Sequence, residues 1–121
     1  MKKIMAYLAS PYTSKDPFLE QERKHTINKI GAILNKQGHC IFAPITTSAT
    51  FSQYDPEIKG SYEHWKDIDR CAIEHCDELW VCTLEGWKES IGVTDEIYWA
   101  RISGKIVRYL DPVTLEFTYA P

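Results

Sequence analysis

Short apolar runs alternate with stretches of helical periodicity along this chain, and this alternation constrains the fold more than any single residue does. The runs lie at residues 3–9, 39–43, 79–84 and 105–109. The first, KIMAYLA, has no polar alternation, which is typical of a strand covered on both faces. Strands that alternate with helices form parallel sheets between helical layers. We therefore predict an α/β three-layer sandwich with a four- or five-stranded, mainly parallel sheet of flavodoxin/Rossmann-like order 2-1-3-4-5.

Three helices are predicted between these strands. The first begins at Asp16–Pro17, an N-cap followed by proline at the first helical position, and ends near Gly38. The second begins at Ser61 as its cap, and the third covers about 93–103, where Gly104 closes it. The inward stripe of the second helix is predicted to be Trp65, Ile68, Ala72 and Cys76.

Two segments are predicted to lie outside the helices and the four strands. Residues 45–60 are predicted to form a long loop, a feature that is usually functional or mobile, and its aromatic residues Phe51 and Tyr54 could cover a ligand. Apolar residues alternate from Val113 to Tyr119, which indicates an edge strand or a contact with another subunit.

Composition excludes several classes of function. With 121 residues and a formal net charge of −3, residues 1–121 are expected to form one domain without the basic surface of a nucleic-acid-binding protein. No apolar run approaches the roughly 20 residues of a membrane span, and the short N-terminal run fits a strand better than a signal peptide. A cytoplasmic protein is therefore expected. Four cysteines and four histidines lack ligand spacing, so we expect no metal, and the cysteines are predicted to pack as small hydrophobic residues.

Topology alone predicts where a ligand binds. In such sheets, ligands lie at the carboxyl ends of the strands beside the switch point, here between strands one and three. The loops at that point are residues 10–14 and 85–92, the second with glycines at 86 and 92. Glu96 is predicted in the first turn of the following helix, where a carboxylate could be a nucleophile or could merely complement the helix dipole.

Two further carboxylates are predicted to converge on this region. Asp69 shares the apolar stripe of the second helix, where a charge is costly unless it is paired or used. The alternative is an ordinary ion pair with Lys66 or Arg70, or a bond to a backbone donor. Asp77 begins strand three and could be catalytic, although a capping role at the preceding helix is the simpler interpretation.

A candidate anion site accompanies the carboxylates. The hydroxyl of Ser90, the backbone near Gly92 and free N–H groups at a helix N-terminus suit a phosphate or carboxylate. The glycine-rich lysine loop of nucleotide triphosphatases is absent, which favours a monophosphate or a carboxylate. Aromatic residues could form a flat wall for a ring: Tyr7, Tyr12, Trp65 and Trp87.

The order of several motifs resembles a known family. YLASPY, G-H-x-x-F-x-P, W-x-x-x-D, CDELWV and L-x-GW-x-x-S-x-G-V-x-x-E follow one another between residues 4 and 109. The chain thereby resembles the nucleoside 2-deoxyribosyltransferase superfamily, which includes the 2′-deoxynucleoside 5′-monophosphate N-glycosidases, and is most similar to a small uncharacterised branch.

The resemblance implies roles for individual residues. The implied catalytic residues are Glu96, which attacks the sugar, Asp69, which handles the leaving base, and Tyr7, which lies by the nucleophile. The implied substrate-binding residues are Ser10, Pro11, Tyr12, Trp87, Ser90 and Gly92, with Ser90 on the 5′-phosphate. The sequence departs from the family pattern in its first loop, which lacks the phosphate-binding arginine, and in the insertion at Trp87.

The function implied is cleavage, by hydrolysis or transfer, of the N-glycosidic bond of a 2′-deoxynucleoside 5′-monophosphate or deoxynucleoside through a glutamate nucleophile. No cofactor is implied, and the expected partners are a small nucleotide or nucleoside and further copies of the chain, as a homodimer or larger homo-oligomer. Two alternatives stay open from sequence. One is a non-catalytic nucleotide-binding or sensing protein, and the other is a purely structural module.

Overall fold

The computed structural model describes residues 3–59 and 62–120. Five strands and four helices follow one another in this part of the chain, with a 3₁₀ turn after the second helix. Their bounds are β1 (Met5–Ala9), α1 (Pro17–Lys36), β2 (Cys40–Phe42), α2 (Pro44–Tyr54), the 3₁₀ turn (Pro56–Ile58), α3 (Tyr62–His75), β3 (Glu78–Cys82), α4 (Ile91–Ile102), β4 (Ile106–Leu110) and β5 (Phe117–Thr118).

The strands form one sheet in the order β2-β1-β3-β4-β5. The first four strands are parallel, and β5 pairs antiparallel with β4. In β1, which lies between β2 and β3, Tyr7 lies opposite Phe42 of β2 and Leu79 of β3. The predicted strand order and the mainly parallel sheet are therefore confirmed, and the switch point lies beside β1.

Side chains alternate across the sheet and build two cores. On one face, Tyr7 and Leu79 pack with residues of α3 and α4, among them Ile73, Val93 and Ala100. The other face carries a cluster from β1, β3, β4, α1 and α2: Ala6, Leu8, Ile27, Ile30, Leu34, Ile45, Trp80, Cys82 and Leu110. Helices thus cover both faces, and the predicted three-layer sandwich is confirmed.

The predicted loop at residues 45–60 is wrong, because most of it is helical. Pro44 occupies the first turn of α2, where its missing N–H costs no hydrogen bond, and the 3₁₀ turn at Pro56–Ile58 follows. Only Pro44 and Ile45 of α2 are buried. The helix therefore lacks the repeated apolar positions from which a helix is predicted. Phe51 and Tyr54 lie exposed on it.

Helix boundaries elsewhere shift by one or two residues. Asp16 accepts a hydrogen bond from the N–H of Phe18, so the predicted cap of α1 is confirmed. In α3 the predicted inward position Ile68 is wrong, since it is 41% exposed, and Ile73 is buried instead. The predicted cap at Ser61 lies outside the described residues.

The C-terminal segment confirms the predicted edge strand but only part of the predicted alternation. Phe117 packs its ring 4.8 Å from that of Trp80 and 4.4 Å from the guanidinium of Arg108. Val113 and Tyr119, in contrast, are 87% and 74% exposed. Leu115 and Phe117 both pack against the core cluster on this face, so these two side chains anchor the C-terminal segment.

Two predictions from composition can be compared with the structure. Cys76 and Cys82 are buried as predicted, but Cys40 and Cys71 are exposed, so the prediction that all four pack as hydrophobic residues is wrong. Among the described helices, none is long and apolar enough to cross a lipid bilayer.

Candidate functional site

Glu96 is a buried carboxylate on the inward face of α4. Ser90 caps this helix through a hydrogen bond from the N–H of Val93 to its Oγ (3.2 Å). Because Val93 and Ala100 lie three residues before and four after Glu96, all three share one face, and Glu96 is only 7% exposed. The helix begins at Ile91, so the prediction that Glu96 lies in the first turn is wrong. A role limited to the helix dipole does not account for a second-turn carboxylate directed into the core.

The Tyr7 phenol donates a hydrogen bond to Oε2 of Glu96. Tyr7 is fully buried in β1, and burial, followed by the charges of Glu96 and Asp69, raises the pKa of its phenol well above the ordinary value. The phenol therefore stays protonated and acts as a donor. The contact holds Glu96 at a fixed position above β1.

Burial raises the pKa of Glu96 to about 8, although the hydrogen bond from Tyr7 acts in the opposite direction. The charges of Asp69 and Asp95 raise it further. At neutral pH Glu96 is thus mainly protonated in the free protein. The ionised form of Glu96, which a nucleophile requires, is therefore the minor form at neutral pH.

Asp69 lies on the inward side of α3, one turn before Ile73. Burial raises the pKa of its carboxyl to about 6, in the direction that the sequence predicts. Its charge also raises the pKa values of Tyr7 and Glu96. The structure therefore brings these three predicted residues into one electrostatically coupled group.

The alternative of an ordinary ion pair for Asp69 is wrong. Lys66 pairs with Glu63 (Nζ–Oε2 3.8 Å). Arg70 pairs with Glu74 (Nε–Oε1 3.6 Å). Within residues 3–59 and 62–120, no hydrogen bond or ion pair reaches the Asp69 carboxyl. A half-buried acid without a partner is available for chemistry.

Asp77 does not join this group. Its Oδ2 accepts a hydrogen bond from the N–H of Met5 (2.8 Å), and its own N–H donates to the Met5 carbonyl (2.8 Å). Both residues lie at the amino ends of their strands, the edge opposite to the predicted site. The prediction that Asp77 converges on the candidate site is wrong, and so is its alternative role as a cap of the preceding helix. Its side chain instead accepts a hydrogen bond at the start of β1.

A cavity of about 400 Å³ opens between the two loops at the switch point. Ser90, a predicted phosphate-binding residue, lies on its wall. The complete lining is Thr13, Arg23, Glu85, Gly86, Glu89 and Ser90. Glu96 and Asp69 do not line it, so the two carboxyl groups lie outside this cavity.

Arg23 is the residue of this region that the sequence analysis missed. Its Nη1 donates to the carbonyls of Tyr12 (3.3 Å) and Thr13 (3.2 Å), and its Nη2 donates to the carbonyl of Glu85 (3.2 Å). The first loop has no arginine of its own, but α1 supplies one beside it. The sequence does contain a signal for Arg23. It lies four residues before the buried Ile27 and therefore on the inward stripe of α1.

The remaining predicted binding residues are distributed around the two loops. Ser10 is buried with no hydrogen-bond partner for its Oγ, and the adjacent Pro11 is also buried. Tyr12 packs against the core cluster on the face of the sheet that α1 covers, and burial raises the pKa of its phenol. Gly92 is exposed in the first turn of α4.

Trp87 packs on the other side of the sheet from Tyr12. Its ring centroid lies 5.5 Å from that of Tyr109, in the cluster that contains Tyr7. Trp65 donates its Nε1 to the carbonyl of Ile58 (2.8 Å). The predicted single aromatic wall is therefore wrong, since Tyr12 and Trp87 contact different cores.

Two solved enzyme structures resemble this fold. The 2-deoxyribosyltransferase of Bacillus psychrosaccharolyticus has 25% sequence identity and a TM-score of 0.62, with 89% of this chain and 72% of that chain covered. The Clostridium botulinum CMP N-glycosidase BcmB has 20% identity and a TM-score of 0.57, with 88% and 70% covered. At that identity the second comparison supports the fold alone.

Comparison by sequence gives a complementary result. No curated protein matches the chain. A family profile described as a domain of unknown function (DUF1937) matches residues 4–111. The chain therefore belongs to that family, and the structural comparison confirms its resemblance to the nucleoside 2-deoxyribosyltransferase superfamily.

Proposed function

We propose that this protein cleaves the N-glycosidic bond of a 2′-deoxynucleoside 5′-monophosphate or deoxynucleoside, by hydrolysis or transfer, with Glu96 as the nucleophile. The observation that carries the proposal is the buried Glu96, held by Tyr7 and coupled to an unpaired Asp69. The activity named for the first similar structure, deoxyribosyl transfer, supports the reaction class.

The reaction follows the two-carboxylate mechanism of retaining glycosidases. The ionised Glu96 attacks C1′, and a C1′–O bond forms as the C1′–N bond breaks through an oxocarbenium-like state. Asp69 gives its proton to the departing base, so the base leaves neutral. The ionised Asp69 then takes a proton from water, whose oxygen bonds to C1′ as the C1′–O bond to Glu96 breaks. In a transfer, a second base takes the place of water and gives its proton to Asp69. Tyr7 stabilises the ionised Glu96 by donating to Oε2, which leaves Oε1 for the attack.

The two carboxyl groups together set the pH dependence. With pKa values of about 6 for Asp69 and about 8 for Glu96, the pair holds one proton between these two pH values. In most molecules that proton lies on Glu96. The reactive arrangement, with the proton on Asp69, is therefore the minor one. A bell-shaped profile of kcat/KM with limbs near these two values is therefore expected.

A 5′-phosphate is the proposed feature that directs substrates to the cavity. Ser90 and the first N–H groups of α4 are hydrogen-bond donors at a helix N-terminus, where anions are favoured. Arg23 adds positive charge to the same wall.

A panel of deoxynucleosides, deoxynucleoside monophosphates and ribonucleoside monophosphates, with CMP included, tests the proposal. Each compound is incubated with the protein, and free base is measured by chromatography. Release of base from deoxy compounds, with a lower KM when they are phosphorylated, is expected. Recovery of every compound intact between pH 6 and 8 would refute the proposal.

Nucleotide binding without turnover is the second candidate function. It is favoured by one observation, the burial that keeps Glu96 mainly protonated at neutral pH and hence non-nucleophilic. Mass spectrometry of an incubated mixture distinguishes the two candidates. A ligand that is bound and recovered unchanged indicates a binding protein, and free base indicates an enzyme.

We also propose that the chain forms a homodimer or larger homo-oligomer and works in the cytoplasm. Ile91, Tyr98 and Ile102 are exposed apolar residues at spacings of seven and four on α4, so they lie on one face that a second copy could cover. Cys40 and Cys71 are free and exposed, which suits a reducing compartment. Sedimentation velocity tests the assembly, and a monomer at all concentrations would contradict it.

A further inference from the structure

The inward stripe of α1 carries two charged residues at the end nearest the site. Glu20 and Arg23 precede the buried Ile27 by seven and four residues, so they lie on the same face of the helix. Glu20 accepts a hydrogen bond from the N–H of Ser14 at its Oε2 (2.9 Å). Arg23 points into the same region, between the two loops of the switch point. Burying a charged side chain costs free energy unless the charge is paired or hydrogen-bonded.

The Arg23 guanidinium joins two loops that are distant in sequence. Two of its donor bonds go to the first loop, at Tyr12 and Thr13, and one goes to Glu85, more than 70 residues further along the chain. Bonds from an ionised donor are stronger than neutral ones, and the planar fork can serve several acceptors at once. A lysine ammonium at the same position is a single point charge and could not hold both loops with this geometry.

Gly86 allows the loop after β3 to approach the Arg23 guanidinium closely. A Cβ at Gly86 would lie 2.5 Å from Nη2 of Arg23, closer than any real side chain approaches. Its φ of +94° is also a conformation that L residues rarely adopt. The loop after β3 thus approaches the guanidinium so closely that a side chain at position 86 would have to displace it.

We propose that Arg23 is a positioning residue that holds the loop after β3 against the loop after β1. The held loop leads from Glu85 to Ser90, which caps α4, and Glu96 lies on α4. Arg23 therefore fixes the start of the helix that carries the nucleophile. Its kinetic consequence depends on the proposed function, whereas the coupling of the two loops does not.

Hydrogen exchange measures the coupling without any substrate. In Arg23→Lys and Arg23→Ala, the amides of the second loop, which include those of Trp87 and Glu89, are expected to exchange about tenfold faster or more. The matched control is Lys29→Ala, which removes an exposed cation from the same helix and should leave both loops unchanged. Wild-type exchange in both Arg23 variants would overturn the proposal. If Arg23→Ala does not fold, Arg23→Lys alone decides.

A double-mutant cycle with Gly86→Ala provides an independent test. Gly86→Ala alone has to strain its backbone and displace the Arg23 guanidinium. In the Arg23→Ala background only the strain is left, so the combined loss of stability should be smaller than the sum of the two single losses. Strict additivity in urea unfolding would contradict direct contact between the two positions.

Kinetics distinguish positioning from direct binding of a phosphate. A positioning role predicts that Arg23→Lys lowers kcat at least tenfold on nucleosides and nucleotides alike, since the charge is kept but the geometry is lost. A selective rise of KM for phosphorylated substrates, with unchanged loop exchange, would refute positioning and indicate a phosphate ligand. If no compound is turned over by the wild type, the proposed function fails, whereas the exchange and cycle experiments still test the loop coupling.

Discussion

Replacement of Glu96 by glutamine should make the protein more stable than the wild type at neutral and alkaline pH. The pKa of Glu96 is raised from 4.5 to about 8, chiefly by burial. In the native state the carboxyl therefore keeps a proton that the unfolded chain releases. A carboxyl with a raised native pKa contributes stability that is complete below pH 4.5 and is lost as the pH rises towards 8.

The magnitude follows from the window between the two pKa values. Each pH unit inside that window costs about 1.4 kcal/mol of unfolding free energy, so the loss reaches about 3 kcal/mol at pH 7 and at most about 5 kcal/mol above pH 8. Glutamine has nearly the same shape, and its amide oxygen can still accept the hydrogen bond from Tyr7. Because it carries no charge at any pH, it does not incur this loss.

Urea unfolding of both proteins at intervals from pH 4 to pH 9 measures the effect. The difference in unfolding free energy between Glu96→Gln and wild type should grow with pH by about 3 kcal/mol between pH 4 and pH 7. Glu22→Gln, a change of an exposed carboxylate on α1, serves as the control and should follow the wild-type curve. Parallel curves for Glu96→Gln and wild type would refute the assignment of a buried, mainly protonated Glu96.

Three other changes have defined outcomes. Tyr7→Phe removes the hydrogen bond that lowers the pKa of Glu96, so the alkaline limb of the kcat/KM profile should move above pH 8 and its maximum should fall; an unchanged profile would contradict this role. Ser90→Ala should cost about 1 kcal/mol in urea unfolding through the lost helix cap and should raise KM more for phosphorylated than for unphosphorylated substrates; equal changes would exclude a phosphate contact. Arg108→Leu removes the 2.9 Å ion pair with Glu78 and should cost about 2 kcal/mol in urea unfolding; an unchanged midpoint would show that the pair contributes nothing.

The sheet and its order were predictable because each strand is a compact apolar run between helix signals. α2 was not predictable in this way. Its burial involves only Pro44 and Ile45, so no apolar periodicity marks it, and its Thr and Ser residues are typical of loops. The predicted stripe of α3 contains Ile68, which is exposed, and omits Ile73, which is buried. The buried face of the helix therefore lies about one residue further along than the predicted one.

The sequence placed Asp69 on a buried stripe, and the raised pKa agrees in direction with that position. The protonation of Glu96 could not be predicted, because its pKa depends on how deeply α4 packs against β1 and on the neighbouring charge of Asp69. Arg23 lies on α1 and not on a loop at the strand ends, so the topology alone does not indicate it, although its spacing from Ile27 indicates an inward position. Asp77 lies at the amino end of β3, on the edge of the sheet opposite to the candidate site. A site inferred only from the presence of acidic residues does not take this position into account.

The most direct measurement is single-turnover release of base by wild type and by Glu96→Gln, compared at pH 7 on the best substrate of the panel. Loss of the nucleophile should lower the rate by a factor of about 10³ or more, while the variant still binds the substrate and unfolds cooperatively. A variant that releases base within tenfold of the wild-type rate would contradict the central claim that the sugar is transferred to Glu96.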